Sequence, residues 1–418
     1  MNQTPGHVVA ALWLAATAIA QGTPAPAAPV APAPPASTTA SLPDLGPPSP
    51  LPEGAPKHLA LIEREGLRKH AYWLADDARQ GRYTSSKTQL EAANYIAAHF
   101  QKLGLKPLGD KKGFVQSYPL DALALEPTTQ LQVGTLRIAE NFAVLPSKDL
   151  DKLALSGKLA WCGHGRTDEL PESLKGRIAL VVLDKQPRGT GVGGDLGAVQ
   201  RYGDIAKRLA KLEAQAAVVV LLGDPAALGN GLNYQALSPD HPSLGYDAPG
   251  RVSNLATTLF VVGGPSAQKL LQAIGALDET ESLREPTTID KAPAKLTIAL
   301  KRGKANACNV VALLEGKSKK AEAVVFSAHH DHVGLRVDGD AFNGADDNAS
   351  GSSGLLEIAE AFAKGGDRPA RSIVFVSVSG EELGLFGSRY FSEHPTWPLD
   401  KIVADVNIDM IGRCTEQD

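Results

Sequence analysis

A chain of 418 residues with a hydrophobic fraction of 43% is long enough for two domains with real cores and ordinary for soluble globular protein. Its formal charge of -4 removes nucleic acid as an expected partner, because such binding normally leaves a basic patch or stripe. Cys162, Cys308 and Cys414 lie far apart with no CxxC, which supports neither a zinc ribbon nor a dense disulfide framework.

Residues 8–20, VVAALWLAATAIA, are too short to span a bilayer comfortably and end in Ala18-Ile19-Ala20, a small-x-small pattern for signal peptidase. The start of the chain offers only its terminal amine and His7 where Lys or Arg is expected, but the tract that follows leaves a core helix nothing to pack against. Residues 1–20 are therefore read as a signal peptide, and the protein is expected to be exported, periplasmic or secreted, with no stable membrane span after cleavage. Residues 21–56 read as a disordered linker: 12 of the 29 prolines fall between Thr23 and Pro56, among Ala, Ser and Thr.

Residues 57–120 read as a helical part. Ala93, Ile96, Ala97, Phe100 and Leu103 recur at helical spacing, Ser86 or Lys87 begins that helix and Gly104 caps it. Between 121 and 300, short apolar runs alternate with Gly- and Pro-rich loops around one helix, Asp204 to Ala214, and this reads as a β-rich insertion. GVGGDLG at 191–197 places Leu196 where a GxGxxG needs its last glycine, so it is not read as a phosphate loop. The long loop Gly223–Arg251 is expected to shape access to a site made elsewhere. From 301 to 418 strands alternate with helices, giving an α/β fold whose mixed, mainly parallel sheet is flanked by helices.

The chemistry collects in that last part. Three apolar runs, 323–327, 372–378 and 402–408, are each followed by His, Glu or Asp. Ligands of such sheets gather outside the carboxyl ends of the strands. His329 and Asp331 sit two apart, so in extended geometry they share a face and the aspartate can fix the imidazole tautomer; His330 and His332 are expected to point the other way. Asp346 and Asp347 open a helix, where a cap needs only one acid and two adjacent carboxylates repel unless a cation lies between them. Asp346 is assigned to the metal, with Asp347 and Asn348 orienting or capping. Glu381 and Glu382 leave a strand through Gly380 and diverge, so one ligates while the other serves as base; Asp409 ends the last strand. His329, Asp346, Glu382 and Asp409 exceed the three ligands of a single catalytic zinc, and a pair of divalent ions sharing a carboxylate fits better.

LADDARQGRYTSSKTQLEAANYIAAHFQKLGLKP, AHHDHVG, NGADDNASGSSGLLEIA, SGEELGLFGSRYF and NIDMIGR together resemble the co-catalytic zinc aminopeptidases of the M28 peptidase family. The 121–300 insertion resembles the protease-associated (PA) domain carried by many members, which is expected to contact substrate or another protein. The resemblance implies two zinc ions, with His329 and Asp409 on one, Glu382 on the other and Asp346 bridging. It also implies Glu381 as base, Asp331 behind His329, a cis Asp346-Asp347 bond and a peptide substrate. An oxygen-rich site of this kind would also accept manganese or cobalt.

The family's fifth ligand is a histidine further along the fold. The chain offers none after Asp409, and His394 in its polar turn is a poor substitute, so that ligand is expected beyond residue 418 and the sequence is read as a fragment. Alternatives are a carboxypeptidase- or dipeptidase-like member, or a catalytically silent binding homologue, against which the retention of Glu381 beside Glu382 weighs. A serine hydrolase and a thermolysin-like zincin are disfavoured by the lack of GxSxG and HExxH.

Overall fold

The computed structural model describes residues 57–148, 150–183, 192–222, 236–250, 252–277, 283 and 293–413. The signal peptide, the linker, residues 223–235 of the long loop, Cys414 and any ligand past 418 lie outside them. Cys162 and Cys308 are buried and free. Among the described residues no helix is long and apolar enough to cross a membrane.

Helices α1 (Arg64–Leu74) and α2 (Lys87–Lys102) come first. Ser86 begins α2, its hydroxyl accepting from Gln89 N at 3.0 Å and so satisfying one of the free first-turn amides. Gly104, at φ +70°, follows the last turn, a left-handed conformation that glycine adopts without strain. Ala93, Ile96 and Phe100 form one apolar stripe of α2, and it is buried in a cluster with Val310, Ala312 and Phe375 of the sheet.

Ten longer strands follow: β1 (Val115–Leu125), β2 (Phe142–Leu145), β3 (Lys152–Trp161), β4 (Arg177–Leu183), β5 (Ala216–Leu221), β6 (Thr258–Val262), β7 (Pro293–Leu314), β8 (Lys319–His329), β9 (Arg371–Val378) and β10 (Ile402–Asn407). Helices α3 (Val192–Lys211), α4 (Gly264–Ala273), α5 (Gly351–Lys364) and α6 (Phe386–Glu393) connect them. The strands hydrogen-bond in the order β10-β8-β9-β7-β3-β4-β5-β6-β2, and β1 pairs along β7. β8 is parallel to both β9 and β10, while β7 runs antiparallel to β9, so the sheet is mixed and flanked by helices. From Ser372 to Val378, β9 is buried throughout, as a central strand covered on both faces must be, hence its apolar run from Ile373 to Val376.

Two sequence expectations need correction. Helix α3 begins at Val192, well before Asp204, so 192–197 is helical; its glycines weaken the local helix signal without preventing the helix. The expected boundary at 300/301 falls inside one 22-residue strand, β7. β7 pairs first with β3 (Pro293↔Lys158 to Ala299↔Lys152), then with β9 (Val310↔Ser377 to Leu314↔Ile373), while β1 covers its middle (Leu300↔Leu125 to Val310↔Val115). Residues on either side of the expected boundary therefore share a continuous backbone ladder.

Two buried histidines make this fold sensitive to acid. His70 on α1 lies 2.7 Å from the Tyr95 hydroxyl, and His241 Nε2 accepts from Leu335 N at 2.9 Å. Burial drives His70 down from 6.5 to about 3 and His241 to about 4. Below pH 6.5 the unfolded chain takes up protons that the folded one refuses. Stability should then fall as pH drops through that window, by about 1.4 kcal/mol per pH unit for each histidine. Urea unfolding at about pH 7.5 and about pH 5 checks this: the midpoint should be lower in acid, and the gap should shrink in His70→Gln and His241→Gln.

Candidate metal centre

Strands β8, β9 and β10 run parallel, so the residues after their carboxyl ends meet along one rim. His329 is the last residue of β8, and its carbonyl accepts from the Ser352 hydroxyl of α5 at 2.7 Å. Its ring is buried, with Nε2 3.2 Å from Asp347 Oδ1 and 3.5 Å from Asp409 Oδ1. Glu381 Oε2 stands 3.9 Å from the same nitrogen. Burial disfavours the imidazolium, yet the carboxylates of Asp331, Asp347 and Asp409 hold the His329 pKa well above its ordinary value.

The structure reassigns the acid at the start of α5. It is Asp347, not Asp346, whose carboxylate faces the cluster. Adjacent side chains in the turn Ala345–Ser350 diverge: Asp346 Oδ1 accepts from Gly412 N at 2.8 Å, and its Oδ2 pairs with Arg413 Nε. Asn348 does cap, accepting from Gly351 N at 2.9 Å while its amide donates to Ile408 O at 3.0 Å, and so ties the segment leading to Asp409 against α5. The cis peptide bond is Asp347-Asn348 instead of Asp346-Asp347.

His332 is the residue that strand alternation misplaced. β8 ends at His329, the chain turns, and His332 Nδ1 meets Glu382 Oε1. His330 does turn away, pairing with Ser377 Oγ at 2.9 Å and Gln89 Nε2 at 2.8 Å. Two groups result, His329/Asp347/Asp409 and His332/Asp347/Glu382, each with its ligand atoms within 4.8 Å of one another and Asp347 common to both. His394 instead stacks on Tyr390, ring centroids 4.3 Å apart.

Glu381 and Glu382 diverge as their adjacency requires. Glu382 is 7% exposed in its side chain against His332, whereas Glu381 is 30% exposed. Burial pushes Glu381 up to about 7, opposed by His329 and reinforced by Asp331, Glu382 and Asp409. Asp331 is fully buried behind His329: its Oδ1 is 3.5 Å from His329 Nδ1, and its Oδ2 accepts from Gly380 N at 2.8 Å and from the Thr84 hydroxyl at 2.6 Å. Arg82, also fully buried, has no carboxylate within ion-pair distance among the described residues and donates to the carbonyls of His330, Asn343 and Gly344.

The donor set suits divalent cations. His329 Nε2 is buried and makes a well-formed hydrogen bond with none of its three acidic neighbours, a cost that an ion would relieve. Imidazole with carboxylates is zinc-compatible chemistry. His332 supplies the histidine of the second group among the described residues.

Residues 309–417 match the profile of Peptidase family M28. This part, about a quarter of the chain, is similar to members of that family. A probable zinc metalloprotease from Pyricularia oryzae is 38% identical over 110 residues, 26% of this chain and 21% of that protein. A probable leucine aminopeptidase from Arthroderma otae is 35% identical over 108 residues, 25% of this chain and 30% of that protein. The aligned segment thus spans less than a third of the length of these relatives. Among solved structures, a zinc aminopeptidase from Bacillus subtilis is 19% identical, covering 84% of this chain and 70% of that one with a TM-score of 0.49.

The reassignment has a direct check in metal content measured by atomic emission. Asp347→Ala should lower the amount of every bound ion, whereas Asp346→Ala should leave it near that of the unaltered protein; the reverse pattern would restore Asp346 to the ligand set.

Proposed function

We propose that the protein is an exported zinc aminopeptidase that removes N-terminal residues from peptides, using two ions that share Asp347. The observation that carries this reading is the pair of donor groups meeting at Asp347 with Glu381 beside them, outside either group and partly exposed. The M28 match and the relatives named as metalloprotease and aminopeptidase support it. Residues 8–20 with their Ala-Ile-Ala ending support export.

His329, Asp347 and Asp409 would hold one ion, and His332, Asp347 and Glu382 the other. Bound there, the ions would supply Lewis acidity that polarises a peptide carbonyl and makes water a nucleophile near neutral pH. Glu381 then takes the proton from that water and returns it to the leaving amine. Asp331 holds His329 in one orientation through the imidazole edge facing away from the cluster.

The insertion packs against α6, the helix that follows Glu381 and Glu382. Tyr246 donates to Glu393 of α6 at 2.8 Å, Arg389 donates to Asp247 at 2.8 Å, and the Arg389 guanidinium lies 4.7 Å over the Tyr246 ring. Helix α6 begins just after the Glu381-Glu382 turn, which supports the view that this module limits which peptides enter.

Glu381→Gln should cut hydrolysis by about 10^2- to 10^4-fold with metal content unchanged; loss of metal together with activity would move Glu381 among the ligands. Amino-acid p-nitroanilides should be cleaved and their N-acetylated analogues spared. Equal rates on both would overturn the aminopeptidase reading in favour of one that ignores the free amine.

A further inference from the structure

We propose that Gly81–Thr84, a segment outside the family-matched region, is a positioning strap that sets the two metal-binding loops relative to each other, with the Arg82 guanidinium and the Thr84 hydroxyl as its acting groups. This rests on the metal-dependent reading given above. Arg82 is 248 residues from His330 in sequence, yet its Nε donates to the His330 carbonyl at 2.8 Å. Its Nη1 donates to Asn343 O at 2.7 Å and to Leu74 O, and its Nη2 to Gly344 O at 3.0 Å. One side of the guanidinium thus grips the chain just after His329 and the other grips the chain leading into Asp347.

The strap's main chain repeats the grip. His332 N donates to Arg82 O at 3.2 Å and Gly334 N to Gly81 O at 3.0 Å, so the exit from the histidine loop is sewn to the strap residue by residue. Contact is close enough to exclude a side chain at Gly81: at φ +65°, a Cβ there would lie 2.3 Å from Gly334 O and 2.6 Å from Phe342 O. Thr84 completes the strap by donating to Asp331, the carboxylate that also faces His329 and holds Gly380 N next to the base.

A fully buried cation that meets carbonyls in place of a carboxylate is expensive to keep. Two properties explain its use here. The planar fork can reach three separate segments at once with fixed angles, which an ammonium cannot. Its charge also lies in the field of Asp331, Glu382 and Asp347, opposing their mutual repulsion. A strap with these properties would keep the His329–Asp347 and His332–Asp347 spacings fixed before an ion arrives. Residues that orient metal ligands from behind typically alter affinity by about 10- to 100-fold when changed.

The test uses the full chain with Thr84→Val, Thr84→Ser, Arg82→Lys and Arg82→Met. Zinc affinity is read by competition with a chromophoric chelator, and ligand geometry by the visible absorption of the cobalt-loaded protein. Unfolding of the chelator-treated protein is measured alongside. Thr84→Val and Arg82→Lys should weaken zinc binding by about 10- to 100-fold and alter the cobalt spectrum, in addition to lowering metal-free stability, and Thr84→Ser should restore affinity and spectrum. Unchanged affinity and spectrum in Thr84→Val and Arg82→Lys would overturn the proposal, as would a loss confined to metal-free stability. Should Arg82→Met fail to fold, the threonine pair decides. If the unaltered protein binds zinc but cleaves no peptide while these variants still bind more weakly, the aminopeptidase reading falls and the strap stands. Normal peptide hydrolysis with no effect of the variants on metal would do the opposite.

Discussion

Asp331 carries its charge where water does not reach, and a carboxylate in that position persists only if its oxygens are fully occupied. Burial would favour its acid form, but His329 and the Thr84 hydroxyl hold its pKa below the ordinary carboxylate value. The three groups it engages come from three parts of the molecule: the N-terminal helical region, the end of β8 and the turn after β9. Moving any one of them would leave part of a buried charge unpaired, a penalty of several kcal/mol. The His329 imidazole, the Gly380–Glu381 turn and the Gly81–Thr84 segment are therefore held to one another through a single residue.

Around this point the sequence was informative where chemistry follows secondary structure. Apolar β-branched runs mark strands, and in a parallel sheet their carboxyl ends meet, so His329, Glu381, Glu382 and Asp409 could be gathered onto one rim from spacing alone. It failed where the backbone leaves regular structure. Strand alternation stops at His329, so extending it to His332 put that ring on the wrong side. In Asp346-Asp347 the choice between neighbours depends on a turn whose dihedrals are non-helical at Asp347 and Asn348, and no periodicity predicts which carboxylate turns inward. Giving the cap to Asn348 alone, instead of to Asp347 and Asn348 together, would have helped, since it leaves Asp347 free directly before the helix.

Arg82 shows a different limit. Nothing in GRYTSS separates a surface arginine between two helices from one that is wholly buried, because its partners are carbonyls contributed by loops far along the chain. Main-chain acceptors leave no mark on composition. The same holds for β7, which alternates in burial at first, is exposed in its middle and is buried from Ala307 to Leu314, so that a boundary was expected within it. The change of pattern records a change of surroundings, from a partly exposed stretch to one buried in the sheet core, along a backbone that never breaks.

The chain enters the insertion along β1 and leaves it along β7, and these two crossings are hydrogen-bonded to each other from Leu300↔Leu125 to Val310↔Val115. A protease that nicks either crossing would therefore cut a covalent link without releasing the piece, because the paired partner still bridges the gap. The molecule behaves in this respect like a zipped seam: its two halves would travel together on a sizing column after such a cut and separate only in denaturant.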